Sequence, residues 1–283
     1  MATKNIRAEP RQQSMINCNS YVVKNVSYAD NCRLITLAVP YYDKIYAGQF
    51  VHLKVDVSVD PILRRPFSIY DVRYNSDALT NIDLGFTIVG RGTDILSKKT
   101  PLDKVGFLGP LGNRFTINKT ADVAVFVAGG IGITPFYFLT KQYKEAKTQT
   151  KLALLFGARN KEELYYLEEF EGLGINIEVS TDDGSFGKKG FVTLLLEDYL
   201  RKNKKKNIQI YSCGPTPMMR HVAEIAKKED VPCELSLEKL MGCALGACGA
   251  CVTKVVGNNG DFRYSRICIE GPVYNVNVLT SDF

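Results

Sequence analysis

Only two histidines occur among the 283 residues, His52 and His221, and they lie far apart along the chain. A metal centre that needs a pair of histidine ligands is thereby disfavoured. No stretch approaches about 18 consecutive apolar residues, which excludes a transmembrane helix and membrane insertion by that route. The opening residues, Met1 to Ser14, are polar and lack the apolar core of a secretory signal. Residues 1–18 are therefore expected to form a disordered or tag-like extension, and the cytoplasm is the expected location. Internal repeats and low-complexity tracts are absent. What is present is ordinary for a globular protein, with 45% apolar and 23% charged residues. The length fits two compact units and a small third. Apolar material suffices for more than one core, so neither a metal nor a disulfide is needed merely to fold. The net charge is +6, and its densest basic run, Lys202-Asn203-Lys204-Lys205-Lys206, has no interleaved aromatics. That run reads as a solvated helix end or loop, and no nucleic-acid partner is expected.

The chain divides into three stretches of different pattern. Short β-rich runs fill Tyr21 to Ile117, among them Leu34–Val39, Phe50–Val55 and Leu84–Val89, separated by turn residues and without helix-length periodicity. This predicts a small antiparallel barrel over 19–118. Then Val123–Ala128 forms a continuous apolar run, as expected of a strand buried on both faces. Further strands at Lys151–Phe156, Ile175–Val179 and Ile208–Ser212 alternate with helices near Glu162–Phe170 and Pro217–Lys228. Such alternation predicts a parallel-sheet α/β unit over 119–230. The fold class is thus α/β plus all-β, with a third, cysteine-bearing segment over 231–283.

Of the eight cysteines, four cluster near the end as C-x4-C-x2-C and, sixteen residues on, a fourth: Cys243, Cys248, Cys251 and Cys268. In a chain that is neither short nor secreted, such a cluster binds metal more readily than it forms disulfides. Plant-type [2Fe–2S] sites use this spacing. The small residues of Gly242 to Cys251 let the backbone curl so that its N–H groups face the sulfurs. Structural zinc is the alternative, although only one C-x2-C knuckle is present. Cys18, Cys32 and Cys233 read as buried small apolar residues.

Arg64-Arg65-Pro66-Phe67-Ser68-Ile69 follows a β run and a turn. Its chemistry suits a flavin dinucleotide: Arg65 can fork onto a pyrophosphate, Phe67 can pack on the ring and the Ser68 hydroxyl can approach N5. Gly90-Arg91-Gly92-Thr93 offers a tight turn whose Gly92 and Thr93 suit a phosphate. Taken singly, each motif is equally an ordinary ion pair or hairpin. Gly129-Gly130-Ile131-Gly132-Ile133-Thr134-Pro135 follows the buried strand and opens a helix, where a nucleotide can approach the main chain. It is neither a G-x-G-x-x-G fingerprint nor a P-loop. Cys213-Gly214-Pro215 repeats the layout at another strand, and both turns belong at the carboxyl edge of the sheet.

In this order, R-P-F-S, G-R-G-T, G-G-I-G-I-T-P and C-G-P, the motifs resemble the ferredoxin–NADP reductase superfamily across nearly the whole chain. The segments Leu237–Cys251 and Tyr264–Tyr274, with Thr181–Gly187, look like the electron-transfer subunits of class 1B dihydroorotate dehydrogenases. The resemblance implies FAD held by Arg65 and Ser68, with Pro66 and Phe67 shaping the ring site. It implies phosphate contacts at Gly92 and Thr93, and a cofactor-lining strand around Phe86 and Thr87. Gly130, Ile131, Gly132, Thr134 and Pro135 with Cys213, Gly214 and Pro215 would frame NAD, and the four cysteines would ligate the [2Fe–2S] cluster. Its partner would be an FMN-containing dihydroorotate dehydrogenase catalytic subunit in a heterotetramer. No residue is implied as a catalytic acid or base, because the cofactors carry the chemistry. NADP-using relatives read the 2′-phosphate where this chain has Asp182 and Asp183, so a preference for NAD(H) follows, unless both merely cap a turn. Related reductase subunits of sulfite reductases, hydrogenases and ferredoxin-linked transhydrogenases share much of the pattern. A redox sensor and a zinc-stapled binding protein are the other readings.

Overall fold

A computed structural model describes residues 15–42, 44–56, 60–75, 79–257 and 261–283. Six antiparallel strands close the barrel: β1 (Ile16–Ala29), β2 (Cys32–Pro40), β3 (Phe50–Lys54), β4 (Arg65–Tyr74), β5 (Leu79–Thr87) and β6 (Lys104–Leu111), ordered β1-β2-β5-β4-β3-β6. Alternation along each strand sends Val51, Leu53, Phe67, Ile69, Leu84, Phe86 and Phe107 into one core. Two expectations change here. Ile16, Asn17 and Cys18 are not part of an extension but pair with Gly109, Leu108 and Phe107, while residues 1–14 lie outside the described residues. The stretch also contains a helix, α1 (Arg91–Ser97), whose seven residues are too few to register as a helical period.

The second unit is a seven-stranded sheet built from β7 (Val123–Gly129), β8 (Lys151–Ala158), β9 (Asn176–Thr181), β10 (Lys188–Lys189), β11 (Ile208–Cys213), β12 (Cys233–Ser236) and, after the cysteine segment, a short strand Val273–Asn275. Its order is β10-β9-β8-β7-β11-β12 and then that last strand, which alone runs antiparallel to its neighbour. Every residue of β7 is buried. The reason is that each face has its own cover: Ala124, Phe126 and Ala128 pack with α2 (Thr134–Glu145) and the barrel core. Val123, Val125 and Val127 pack with α4 (Val192–Lys202) and α5 (Thr216–Lys228). Between β8 and β9 the expected helix is shorter, α3 (Leu167–Glu171). Helix α4 is additional to the expected elements, and Lys202 is its last residue, so the basic run does trail off a helix end.

The cysteine segment is not a separate appendage, since β12 and the last strand belong to the large sheet. Between them lie the cysteine loop, the hairpin β13 (Val252–Val256) and β14 (Phe262–Arg266), and one helical turn, α6 (Ile267–Glu270). No helix among the described residues is long and apolar enough to cross a membrane.

Candidate functional site

Strand β4 begins with Arg65, shortly after the bend at Asp60–Pro61. Its guanidinium lies against Gly92 in the first turn of α1: a Cβ on Gly92 would fall 2.7 Å from Cζ of Arg65. Two motifs far apart in sequence thus meet, and a larger residue at Gly92 would push the arginine aside. The Arg65 Nη1 donates to the Leu63 carbonyl. Pro66 and Ser68 are half-buried on the strand face opposite Phe67. Phe67 and Phe86 themselves are 7% and 2% exposed and meet edge-to-face at 5.7 Å. Their rings point into the barrel core, so on this strand it is the opposite face, with Pro66 and Ser68, that is turned outward. Thr87, half-buried, follows Phe86 on the other face. The Thr93 hydroxyl is also taken up locally. It accepts from the N–H groups of Val89 (3.0 Å) and Gly90 (3.2 Å) and donates to the Gly90 carbonyl (2.9 Å), so it caps α1. Three apolar side chains flank the motifs in the open: Ile62 (77% exposed), Leu63 (55%) and Val89 (82%). Sequence reasoning missed them, although large aliphatics inside turns were a usable signal.

At the sheet's carboxyl edge, Gly130–Ile133 makes one 3-10 turn and Thr134–Pro135 opens α2. Proline suits that first turn, where its missing N–H costs nothing. Adjacent in the sheet, Ala128 pairs with Cys213, and Pro215 caps α5. The two turns are in contact: a Cβ on Gly132 would fall 2.6 Å from the carbonyl carbon of Cys213 and 2.7 Å from Cα of Gly214. Gly90 and Gly130 face open space instead, leaving main chain that a dinucleotide can approach. Burial, and then the charge of Glu238, push the Cys213 thiol up to about 12, which makes it a poor nucleophile. The start of α2 reaches the barrel at Gly85 of β5, whose Cβ position is 2.7 Å from Thr134 Cγ2 and 2.8 Å from the Tyr166 hydroxyl. Past β9, Asp183 accepts from the Ser185 N–H (2.9 Å) and hydroxyl (2.7 Å), so it caps a turn. Asp182 is exposed beside it, its carboxyl raised by partial burial and then by the charges of Asp183 and Glu163.

The cysteine loop folds as its small residues allow. Ala244, Gly246 and Gly249 take left-handed φ values of 56°, 78° and 66°. The Leu245 N–H donates to Cys243 Sγ at 3.3 Å. That bond, with others from the main chain of Cys248 and Ala247 and the Cys248 side chain, holds the Cys243 thiol down at about 6. Cys251 and Cys268 are buried; burial first, then the neighbouring Cys251 thiol, push Cys268 up to about 12. The loop and the Cys268 turn meet where Arg266 Nη1 donates to the Gly246 carbonyl at 3.2 Å and the Gly246 Cβ position is 2.8 Å from Ile269 Cγ1. Among the described residues no three His, Cys, Asp or Glu side chains close on a single ion. Cys248 Sγ lies 3.3 Å from the Cβ position of Gly242, next to Cys243, and the Ile267 N–H donates to the Cys251 carbonyl at 3.0 Å, next to Cys268. Two neighbouring pairs suit two irons that each take two thiolates, and an N–H aimed at sulfur favours the thiolate form.

Residues 238–280 match the iron-sulfur cluster binding domain of dihydroorotate dehydrogenase B, and residues 126–224 match the oxidoreductase NAD-binding domain. The electron transfer subunit of dihydroorotate dehydrogenase B (NAD(+)) from Desulforamulus reducens is 39% identical over 238 residues, 84% of this chain and 85% of that one. The chain belongs to the family of dihydroorotate dehydrogenase B electron transfer subunits. Another member of that family, from Geobacillus kaustophilus, is 42% identical over 80% of this chain and 84% of its own. Among solved structures, an NADH-dependent reduced ferredoxin–NADP oxidoreductase, described for flavin-based electron bifurcation, superposes with a TM-score of 0.78 at 28% identity. The match covers 93% of this chain and 90% of that one. As a member of this family the chain is an NAD-linked flavin and iron–sulfur oxidoreductase subunit, and an electron transfer subunit works with a catalytic partner.

Proposed function

We propose that the chain carries electrons between NAD(H) and a partner's FMN through FAD and a [2Fe–2S] cluster, as dihydroorotate is oxidised to orotate. The observation that carries this reading is a small-residue loop that brings Cys248 beside Cys243 and Cys251 beside the Cys268 turn, with the Leu245 N–H turned onto the Cys243 sulfur. In it, Arg65, Pro66, Ser68, Thr87 and Gly92 hold FAD at the barrel edge. Gly130 to Pro135 and Cys213 to Pro215 receive the nicotinamide nucleotide. Cys243, Cys248, Cys251 and Cys268 are the cluster ligands. When bound, FAD supplies hydride exchange with NAD(H) and one-electron exchange with the cluster. The residues of this chain bind, orient and exclude water. We assign FAD binding to the barrel from β1 to residue 118, NAD binding to 119–230 and the cluster to 231–283, in the cytoplasm and in a heterotetramer with an FMN-containing catalytic subunit.

The test is anaerobic purification, a visible spectrum, and counts of iron, acid-labile sulfide and flavin per chain. Flavin with [2Fe–2S] absorption, and NADH-driven dye reduction without dihydroorotate oxidation, are expected of the chain alone. Zinc in place of iron, or no dye reduction by cofactor-replete protein, would reject the reading. The bifurcating structural neighbour favours one second reading, an NAD(P)H-linked subunit serving another partner. Failure to restore NAD-linked dihydroorotate oxidation on adding the catalytic subunit would favour it. Nucleotide choice has its own test. Asp182→Ser should lower the KM for NADPH about ten-fold, the size of one like-charge contact removed, with NADH kinetics nearly unchanged. An unaltered NADPH KM would remove Asp182 from the nucleotide site.

A further inference from the structure

The chain that follows Cys268 returns across the end of the barrel, and one side chain holds it there. Asn113 stands two residues beyond β6. Its Oδ1 accepts from the Val273 N–H at 2.8 Å, and its Nδ2 donates to the carbonyls of Glu270 (3.0 Å) and Val273 (2.7 Å). Its main-chain N–H donates to the Gly271 carbonyl at 2.6 Å. An asparagine amide has two donor protons and a carbonyl, and here both kinds of group meet the main chain of one segment. Aspartate fits the space but presents an oxygen to two carbonyls. Gly112 makes the approach close: it has φ +76°, and a Cβ there would fall 2.5 Å from Cδ of Pro272 and 2.8 Å from the Gly271 carbonyl. The far side of the segment is tied to the large sheet, where the Leu237 N–H donates to the Pro272 carbonyl at 2.9 Å.

The position matters because of what lies across the barrel wall. Ser68 on β4 pairs with Phe50 on β3, and Phe50 pairs with Leu111 at the end of β6. The Phe50 ring lies against the same point as Pro272, its Cε1 3.0 Å from the Gly112 Cβ position. From the strand proposed to carry FAD to the strand that carries the clip is therefore two strand spacings, roughly 10 Å. We propose that Asn113 is a positioning residue for electron transfer: by clipping Glu270 to Val273 onto the barrel it sets the spacing between FAD and the cluster. The inference rests on the electron-transfer reading above. It adds that, on a segment already packed against Phe50, Leu108 and Leu111, the Asn113 amide fixes the last of the spacing between cluster and flavin. Electron-transfer rates fall steeply with separation, so a loosened clip slows that step and leaves hydride transfer from NADH alone.

The experiment uses the full cofactor-replete chain with Asn113→Ala and Asn113→Asp. Hydrogen exchange at the Val273 amide reads the clip directly and should speed up in Asn113→Ala, which loses the acceptor. In a single anaerobic turnover, NADH yields two electrons as a hydride. Stopped-flow absorbance follows FAD reduction, and freeze-quench EPR follows the one electron that reaches the cluster, the other remaining at the flavin. Both variants should reduce FAD at the parent rate and the cluster about ten-fold or more slowly, the sensitivity expected of ångström-scale misplacement. Parent-rate cluster reduction in both variants overturns the proposal. So does loss of iron from both, which would make Asn113 a support of the ligand loop. A parent chain whose cluster is never reduced by NADH would overturn the electron-transfer reading itself.

Discussion

The barrel is held on two sides by different chemistry. Toward α2 the contact is made by side chains. Lys141 Nζ reaches both oxygens of Asp71, at 2.7 and 2.8 Å, and the Asp71 side chain is only 6% exposed. Arg73 bridges Asp71 to Asp83, and Asp83 accepts from the Thr36 hydroxyl at 2.5 Å. Beside this network Tyr70 and Tyr137 stack at 4.5 Å with 11° between their planes. Gln142 accepts from the Ala47 N–H (3.0 Å) and donates to the Ile45 carbonyl (3.2 Å). Toward the cysteine segment a polar clip, the amide and main-chain N–H of Asn113 on main chain, is added to apolar packing that puts Phe50, Leu108 and Leu111 in one core with Cys251, Cys268 and Tyr274. The first is a buried ionic and aromatic lock, whose loss should appear as lost stability. The second is a partly solvated clip, whose loss should appear in a rate. The lock joins β4, which begins with Arg65, to α2, which begins with Thr134. It therefore holds the proposed flavin and nicotinamide sites in one frame, whereas the clip holds the flavin and the cluster.

The largest expected effect separates the segment's fold from its cargo. Cys268→Ser removes one sulfur of the buried pair and should abolish the cluster, seen as loss of iron, sulfide and the reduced-state EPR signal. Flavin content and NADH-to-FAD reduction should persist, because α2 and β4 are untouched. If flavin is lost together with iron, the two sides of the barrel are not independent and the comparison fails.

Next comes the lock. Lys141→Met leaves the Asp71 carboxylate buried with only Arg73 near it, at 3.4 Å. Breaking a buried pair by removing one partner costs about 3 kcal/mol, and the remaining arginine places this case at the low end of that range. Denaturant unfolding should show that loss, and hydride transfer from NADH should slow while cluster reduction by chemical reductant stays unchanged. A variant as stable as its parent would mean that water replaces the ammonium and that the lock lies elsewhere.

How much of this was legible beforehand depends on the range of the contact. The two-face burial of β7 was legible, because a run with no polar break needs cover on both sides. So were the turns at Gly130 and Cys213 and the spacing of the four cysteines, all local patterns with a fixed geometry behind them. Helix α4 has a local signal, Val192, Leu195, Leu196 and Leu200 buried along one stripe at the spacing of a helical period. The inward rings of Phe67 and Phe86 follow from strand alternation. Asn113 could not be found: its partners lie about 160 positions away, and nothing near it in sequence marks a clip. The Lys141–Asp71 pair is hidden for the same reason, 70 positions apart.

The smallest effect asks whether the lock resides in its charge or in its rings. Tyr137 and Lys141 occupy successive turns of α2 and meet the neighbouring residues Tyr70 and Asp71 of β4. Tyr137→Leu keeps apolar bulk against Tyr70 and Phe170 but removes the stacked face. A stacked pair contributes about 1 kcal/mol beyond its buried area, so the loss should be a fraction of that seen for Lys141→Met. Because the two contacts share helix and strand, their effects should not simply add. The double variant should lose less than the sum, since a helix already released from Asp71 has less to lose at Tyr70. Strict additivity in a denaturant double-mutant cycle would show two separate contacts that happen to be neighbours, and the two-sided picture of the barrel would then rest on the ion pair alone.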